Sequence, residues 1–436
     1  VSARAGGSGF DAIVVGAGFA GVTAARELCS RGRRTLLLEA RDRLGGRTWT
    51  DEFAGHRVEL GGAWIHWTQP HIWTELVRYG IPVVADEEPD EVLVPTQEEP
   101  LPLPADDVLT MVTGLLNRVF AGTDRYFPRP YEPLFRAREL AEFDRLSVAE
   151  WLAQTDLTAA ERDLVTGTLA TELGGAPERS AVSMLAQWWA LGGLERHGYH
   201  ALVNLRPEPG TAAVLEAMLA AAGPEVRLSC PVAAVHDEGG RVRVTTSAGE
   251  SFTAGAVVVA VPVNLWPAID FSPALPAAHA AAAEAGAGVP HSIKLWLHLR
   301  DGPGRCLAQG AGGAALSTLL PHAELGDGQL MVGFSVHPDF DAGDPAAVAK
   351  AVSALVPDAD LVAHRAHDWA RDPYARGGWG VRRPGQLTTL HRDLQRPHGR
   401  IAFATADIAT GWAGCIDGAV ESGLRAARQA RALGAG

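Results

Sequence analysis

The sequence predicts an α/β fold: a doubly wound, Rossmann-type domain interrupted by a second domain of α+β character. Three observations carry this. Residues 11–39 run strand, Gly-rich turn, helix, strand, which is one βαβ unit. From about 106 to 200 the apolar spacing is helical, from DVLTMVTGLLNRVF to SMLAQWWALGG. Strand alternation then returns between 226 and 261 and again in IAFA near 401, so the first domain is assembled from separated pieces of chain. A length of 436 residues suits two or three domains.

Composition bounds the class. Apolar residues make up 47% and charged residues 20%, as in globular proteins. With 38 basic and 51 acidic residues the net charge is −13, which argues against a nucleic-acid surface and a polybasic membrane patch. Cys29, Cys230, Cys306 and Cys415 lack metal-site or disulfide-framework spacing, and a reducing, cytoplasmic setting is expected. No apolar run reaches the ~18 residues of a membrane span. The opening VSARAGGSGF lacks the apolar stretch of a signal peptide.

The first unit, DAIVVGAGFAGVTAARELCSRG followed by TLLLEA, carries Gly16-x-Gly18-x-x-Gly21. Gly16 permits the tight turn, Gly18 lets a pyrophosphate approach, and Gly21 lets helix and strand pack closely. The helix start offers free N–H groups to anionic oxygens. Glu39, 23 residues after Gly16, stands where a carboxylate accepts hydrogen bonds from a ribose diol. These features read as a dinucleotide site. Arg43, Gly45, Gly46 and Arg47 follow as an RxGGR element, and Arg47 offers a fixed cation to a phosphate. In VELGGAWIHWTQPHIW, Gly61 and Gly62 again suit close approach to a flat ligand. No third ligand stands at metal-site spacing from His66 and His71, so no metal is expected.

Residues 86–105 are acidic and Pro-rich and read as an irregular connection. In the helical stretch Ser147 and Glu150 fit a capping box, and Trp188 and Trp189 serve either a core or a pocket wall. Strands are expected at about 226–229, 232–236, 241–246 and 256–261, with a hairpin turn at Gly239-Gly240. HSIKLWLHL reads as a strand in which Lys294 interrupts an apolar run, a position costly to bury without a partner. DPYARGGWG places Trp379 between glycines. In FATADIATGWAGCIDGAVESG a strand leads to Asp407 and then to a long helix whose first N–H groups, near 415–417, suit an electron-rich carbonyl.

These stretches, in this order from about residue 10 to 430, resemble the flavin-containing monoamine oxidase family. The resemblance implies the amine oxidase fold, with an FAD-binding domain from 1–85, 206–286 and 372–436 and a substrate domain from 86–205 and 287–371. It implies FAD held by Gly16, Gly18, Gly21, Glu39, Arg47, Gly61, Gly62, Ala63, Trp64, Val232, Asp407 and Ile416. It implies oxidation of an amine C–N bond by hydride transfer to flavin N5, with Lys294 holding a water beside N5. The imine hydrolyses to an aldehyde or ketone, and electrons pass to oxygen, forming peroxide, or to another acceptor. By the same resemblance Trp379 and Cys415 join Lys294 as catalytic-site residues and form the substrate cage, while His66, Trp188 and Trp189 are candidate pocket residues or, equally, structural ones. No membrane or nucleic-acid partner is implied, and a homodimer is admitted but not required.

Two departures matter. Gly378 stands where mitochondrial members carry the flavin-linking Cys, so FAD is expected to be non-covalent. Trp379 fills one position of the aromatic substrate cage, but Cys415 stands at the other, so one wall is small. WIHWTQPHIW resembles bacterial members that act on nicotine-type and other bulky amines. The alternatives are a flavin oxidase or desaturase of the same fold acting on C–C bonds, and a non-catalytic relative of the GDP-dissociation inhibitors.

Overall fold

The computed structural model describes residues 9–96, 98–195 and 204–434. Packing divides the chain into two units.

The first unit comprises residues 1–46, 212–286 and 390–436. Its sheet has eight strands. Phe10–Val15 lies at the centre, parallel to Thr35–Leu38 on one side and to Ser251–Val259 on the other. Glu225–Arg227 extends the Thr35–Leu38 edge in parallel. Ser251–Val259 is long enough to serve two partners along its other side: its first half pairs antiparallel with Val242–Thr246 and its last three residues pair parallel with Ile401–Phe403. Val232–Asp237 and Asp270–Ser272 complete the order. Ile13, Val14, Leu36, Leu37, Val257, Val258 and Phe403 are fully buried, which explains continuous apolar runs rather than alternation. The expected strands and the Gly239 turn are present, with boundaries moved by a few residues. Helices Phe19–Cys29 and Ile416–Leu433 pack on each other so closely that a Cβ at Gly423 would lie 2.4 Å from the Ala20 carbonyl oxygen.

The second unit comprises residues 47–211 and 287–389. Residues 47–85, 206–211 and 372–389, grouped by the sequence expectation with the FAD-binding segments, pack here. Its seven-stranded sheet runs Asp360–Asp368, Ile293–Arg300, Gly328–Ser335, Thr318–Leu325, Cys306–Gln309, Glu91–Val94, Leu101–Pro104. The last two strands correct the expectation of an irregular connection at 86–105. Pro102 and Pro104 are tolerated because Leu101–Pro104 is the outermost strand, where a missing N–H breaks no ladder on the open side. Ile293–Arg300 shows period 2. Ile293, Leu295, Leu297 and Leu299 join a core with Val348, Val352 and Leu355 of helix Pro345–Leu355. The intervening residues Lys294 and Trp296 face the other way, and Trp296 packs with Val58, Leu60, Val332 and Phe334. The helical stretch holds Ala105–Val119, Ala137–Asp144, Val148–Gln154, Ala159–Leu173 and Val182–Leu191. The Ser147/Glu150 capping box is present, and a second, Thr158/Glu161, starts the Ala159–Leu173 helix.

Candidate active site

In the first unit the Gly-rich turn is built as its sequence suggests. Gly16 has φ +103° and donates its N–H to Leu38 O at 2.7 Å. A Cβ at Gly21 would sit 1.8 Å from the Gly16 carbonyl oxygen, so no side chain fits there. Gly18 caps the Phe19–Cys29 helix without a side-chain acceptor, and the first turn holds no acidic residue. Glu39 is 3% exposed, and its two oxygens each take a backbone N–H, from Ala17 at 2.7 Å and Arg41 at 2.9 Å. That fixes the carboxylate beside the turn with lone pairs to spare. Val232 opens its strand, and the Asp407 carboxylate accepts from Val263 N–H at 3.0 Å. Ile416 begins the last helix, whose N-cap Cys415 makes no side-chain cap bond. Glu421 anchors the preceding turn by accepting from the N–H groups of Thr410 and Gly411, each at 2.8 Å. A helix start without a side-chain cap beside a fixed carboxylate is the donor and acceptor set that a dinucleotide needs.

In the second unit Lys294 lies against residues 59–64. Three successive carbonyls there are each pinned by a distant side chain. Trp296 Nε1 donates to Glu59 O at 3.0 Å, Trp369 Nε1 to Leu60 O at 2.9 Å, and Lys294 Nζ to Gly61 O at 3.0 Å. A Cβ at Gly61 would meet Arg47 O at 2.2 Å and Trp369 at 2.8 Å, whereas at Gly62 the nearest contact is 3.6 Å. Ala63 is buried, and Trp64 donates from Nε1 to Asp86 Oδ2 at 2.7 Å. Lys294 is 4% exposed, with its ammonium 4.8 Å from the Trp64 ring centre, 5.6 Å from Phe334 and 5.8 Å from Trp296. Burial pulls its pKa down to about 8, opposed by the charges of Glu59 and Asp86.

Arg47 donates from Nη1 to Gly378 O at 2.9 Å, joining the RxGGR element to DPYARGGWG. Trp379 is half-buried, and its indole N–H donates to Glu172 O at 2.9 Å, at the end of the Ala159–Leu173 helix. His66 is fully buried, its Nδ1 2.6 Å from Thr68 Oγ1 and its ring against Trp67 at 3.8 Å. Trp188 and Trp189 are buried, and Trp189 stacks on Phe120 at 5.0 Å as a core aromatic does. Sequence reading missed the titratable residues that share a cavity with Lys294, namely Arg57, Glu59, Asp86, Arg206, Glu208 and His322. Their signal was weak, because they come from four separate segments.

Among the described residues no group of His, Cys, Asp and Glu could hold a metal ion, and no helix is long and apolar enough to cross a membrane.

A Gly-rich βαβ turn beside a buried carboxylate, and a buried lysine among aromatic rings, are features that a flavin-dependent amine-oxidising enzyme can use, and comparison with known proteins shows that class. The chain belongs to the flavin-containing amine oxidoreductase family, whose signature matches residues 19–431. It is 37% identical to pseudooxynicotine dehydrogenase from Pseudomonas sp. over 95% of this chain and 84% of that protein. It is also 37% identical to nicotine dehydrogenase from Pseudomonas putida (strain DSM 28022 / S16), over 98% and 89%. Among solved structures, cyclohexylamine oxidase from Brevibacterium oxydans IH-35A superposes with a TM-score of 0.78 at 25% identity, covering 98% of this chain and 99% of that one. Putrescine oxidase shares the fold, with a TM-score of 0.81 at 23% identity, over 97% and 99%.

Proposed function

We propose that this enzyme oxidises a bulky, nicotine-type amine with a non-covalently bound FAD. The observation that carries the reading is Lys294: a lysine buried in the middle of a sheet, hydrogen-bonded to the Gly61 carbonyl and ringed by Trp64, Phe334 and Trp296. Such a cation is costly to maintain for packing alone.

Bound flavin would supply the two-electron oxidation of the amine, whose imine product hydrolyses to a carbonyl compound. The residues supply binding and orientation. Glu39 accepts from ribose hydroxyls, and the Phe19–Cys29 helix start takes phosphate oxygens. Lys294 holds a proton and a positive charge at Nζ, and orients water on the Gly61 side. Trp379, its indole fixed through Glu172, forms an apolar wall that excludes water and favours the neutral amine. Cys415 holds by motif the other cage position and leaves room for a larger substituent. The relatives named as nicotine and pseudooxynicotine dehydrogenases support the bulky substrate class. Their names, beside (S)-6-hydroxynicotine oxidase from Paenarthrobacter nicotinovorans, support both oxygen and other acceptors. Four cysteines without disulfide-framework spacing support a cytoplasmic, reducing setting.

The test is anaerobic mixing of the yellow protein with a panel containing nicotine-type heterocyclic amines, diamines and small monoamines, followed by admission of air. Bleaching by the heterocyclic amines ahead of the small ones is expected. Bleaching by small primary amines alone overturns the substrate class.

A further inference from the structure

The side chain of Glu59 has no part in the scheme above, yet it is the most elaborately held carboxylate near Lys294. It is 6% exposed. Oε1 accepts from Thr50 Oγ1 at 2.7 Å and from the Thr211 N–H at 2.7 Å, and Oε2 accepts from Thr211 Oγ1 at 2.8 Å. These donors come from positions 9 and 152 residues away along the chain, so only the fold assembles them. The Glu59 backbone is held as well, through Trp296 Nε1, two residues along the strand from Lys294. Glu59 and Lys294 line one cavity with Asp86, Arg206, His322, Arg57 and Glu208. Asp86 sits between Trp64 Nε1 at 2.7 Å and Arg206 Nε at 2.6 Å. Thus Glu59 is the more deeply buried charge of the cavity lining, while Asp86 and Arg206, paired with each other, keep 19% and 24% of their side chains exposed.

We propose that Glu59 is the positioning residue of Lys294: its fixed carboxylate is the counter-charge that holds the ammonium in place and protonated across the cavity, and the Asp86–Arg206 pair trims that field from the outer side.

The geometry gives each group a sign. Glu59 and Asp86 favour the charged lysine and Arg206 opposes it, in line with the directions in which they move its pKa. The influence is mutual: burial pushes the Glu59 carboxyl up, and its threonine bonds and the lysine's charge pull it back. His322, edge-on to Trp296 at 4.6 Å, is pushed down to about 4 by burial and stays neutral near pH 8, so it contributes little charge there. Taking either member of a buried pair away strands the other, which costs more than removing both.

The proposal rests on Lys294 being the working lysine, and the experiment separates the two claims. Glu59→Gln, Lys294→Met and the double variant are compared by urea unfolding of the flavin-loaded protein. The double is expected to lose less stability than the sum of the singles. Should Glu59→Gln fail to fold, the added Lys294→Met is expected to restore folding. Additive losses, or, where Glu59→Gln does not fold, a double variant that also does not fold, overturn the pairing. In parallel, kcat is followed against pH with the best amine of the panel. The limb that Lys294→Met abolishes is expected to move to lower pH in Glu59→Gln and Asp86→Asn, and to higher pH in Arg206→Met. An unmoved limb in Glu59→Gln overturns the positioning role and leaves Lys294 standing. A limb that survives Lys294→Met overturns the role of Lys294, while the unfolding comparison still tests the pair.

Discussion

Replacing Trp379 separates a substrate wall from a core plug. Truncating a fully buried tryptophan to alanine costs about 3–5 kcal/mol of stability. Trp379 is half-buried, which lowers the packing part to about 2 kcal/mol on that scale. Loss of the indole bond to Glu172 O adds about 1 kcal/mol. Trp379→Ala is therefore expected to lose about 3 kcal/mol in urea unfolding while remaining folded and yellow. As a wall the indole also contributes to catalysis, and kcat/KM on the best amine is expected to fall more than tenfold, about 1.4 kcal/mol or more. Trp379→Phe isolates the hydrogen bond: it keeps most of the apolar face, and is expected to cost about 1 kcal/mol of stability with a smaller kinetic loss. Stopped-flow flavin bleaching and urea melts on the same preparations give both quantities. A Trp379→Ala protein that is strongly destabilised yet turns over with unchanged kcat/KM would refute the wall.

Three further outcomes are expected. Glu39→Ala removes a charged acceptor from the ribose, worth about 1.5–3 kcal/mol, and leaves the Ala17 and Arg41 N–H groups without their partner; flavin retained through gel filtration should drop, and full retention contradicts the assignment. Gly378→Cys should not create a covalent flavin, because a Cβ there would lie 2.7 Å from Ser292 Oγ and from Val289 Cγ2; acid precipitation should leave the pellet colourless, and a fluorescent pellet sinks the idea. His279 is buried against Trp266 and Phe403, and burial first, then the His398 charge, pushes it down to about 4. The unfolded chain then binds the proton first, so stability falls as pH drops from about 6.5 to 4 and the loss is complete below 4, on the order of 3 kcal/mol; His279→Leu should flatten that part of the melting profile, and an unchanged profile removes His279 as its cause.

The Gly-rich βαβ turn was legible from sequence because its geometry is local. Gly16 to Glu39 is one βαβ unit, and the Gly21 Cβ clash and the Glu39–Ala17 bond are set within it. The strand carrying Lys294 was legible for the same reason: period 2 over a short run needs no distant partner. The hairpin at Glu91–Val94 and Leu101–Pro104 was not, since proline argues against a strand until its place at the sheet edge is known. Whether Lys294 faced solvent or interior was undecided by its neighbours in sequence, because alternation names two faces and only the packing of Val58, Leu60 and Phe334 shows which face is covered. Trp379 was marked by its glycine flanks, but its orientation waited on a carbonyl 207 residues away. Glu59 lay within a recognised motif and still carried no signal. Its threonine partners and the lysine that shares its cavity are joined to it only by the folded chain, and a buried charge takes its meaning from what surrounds it.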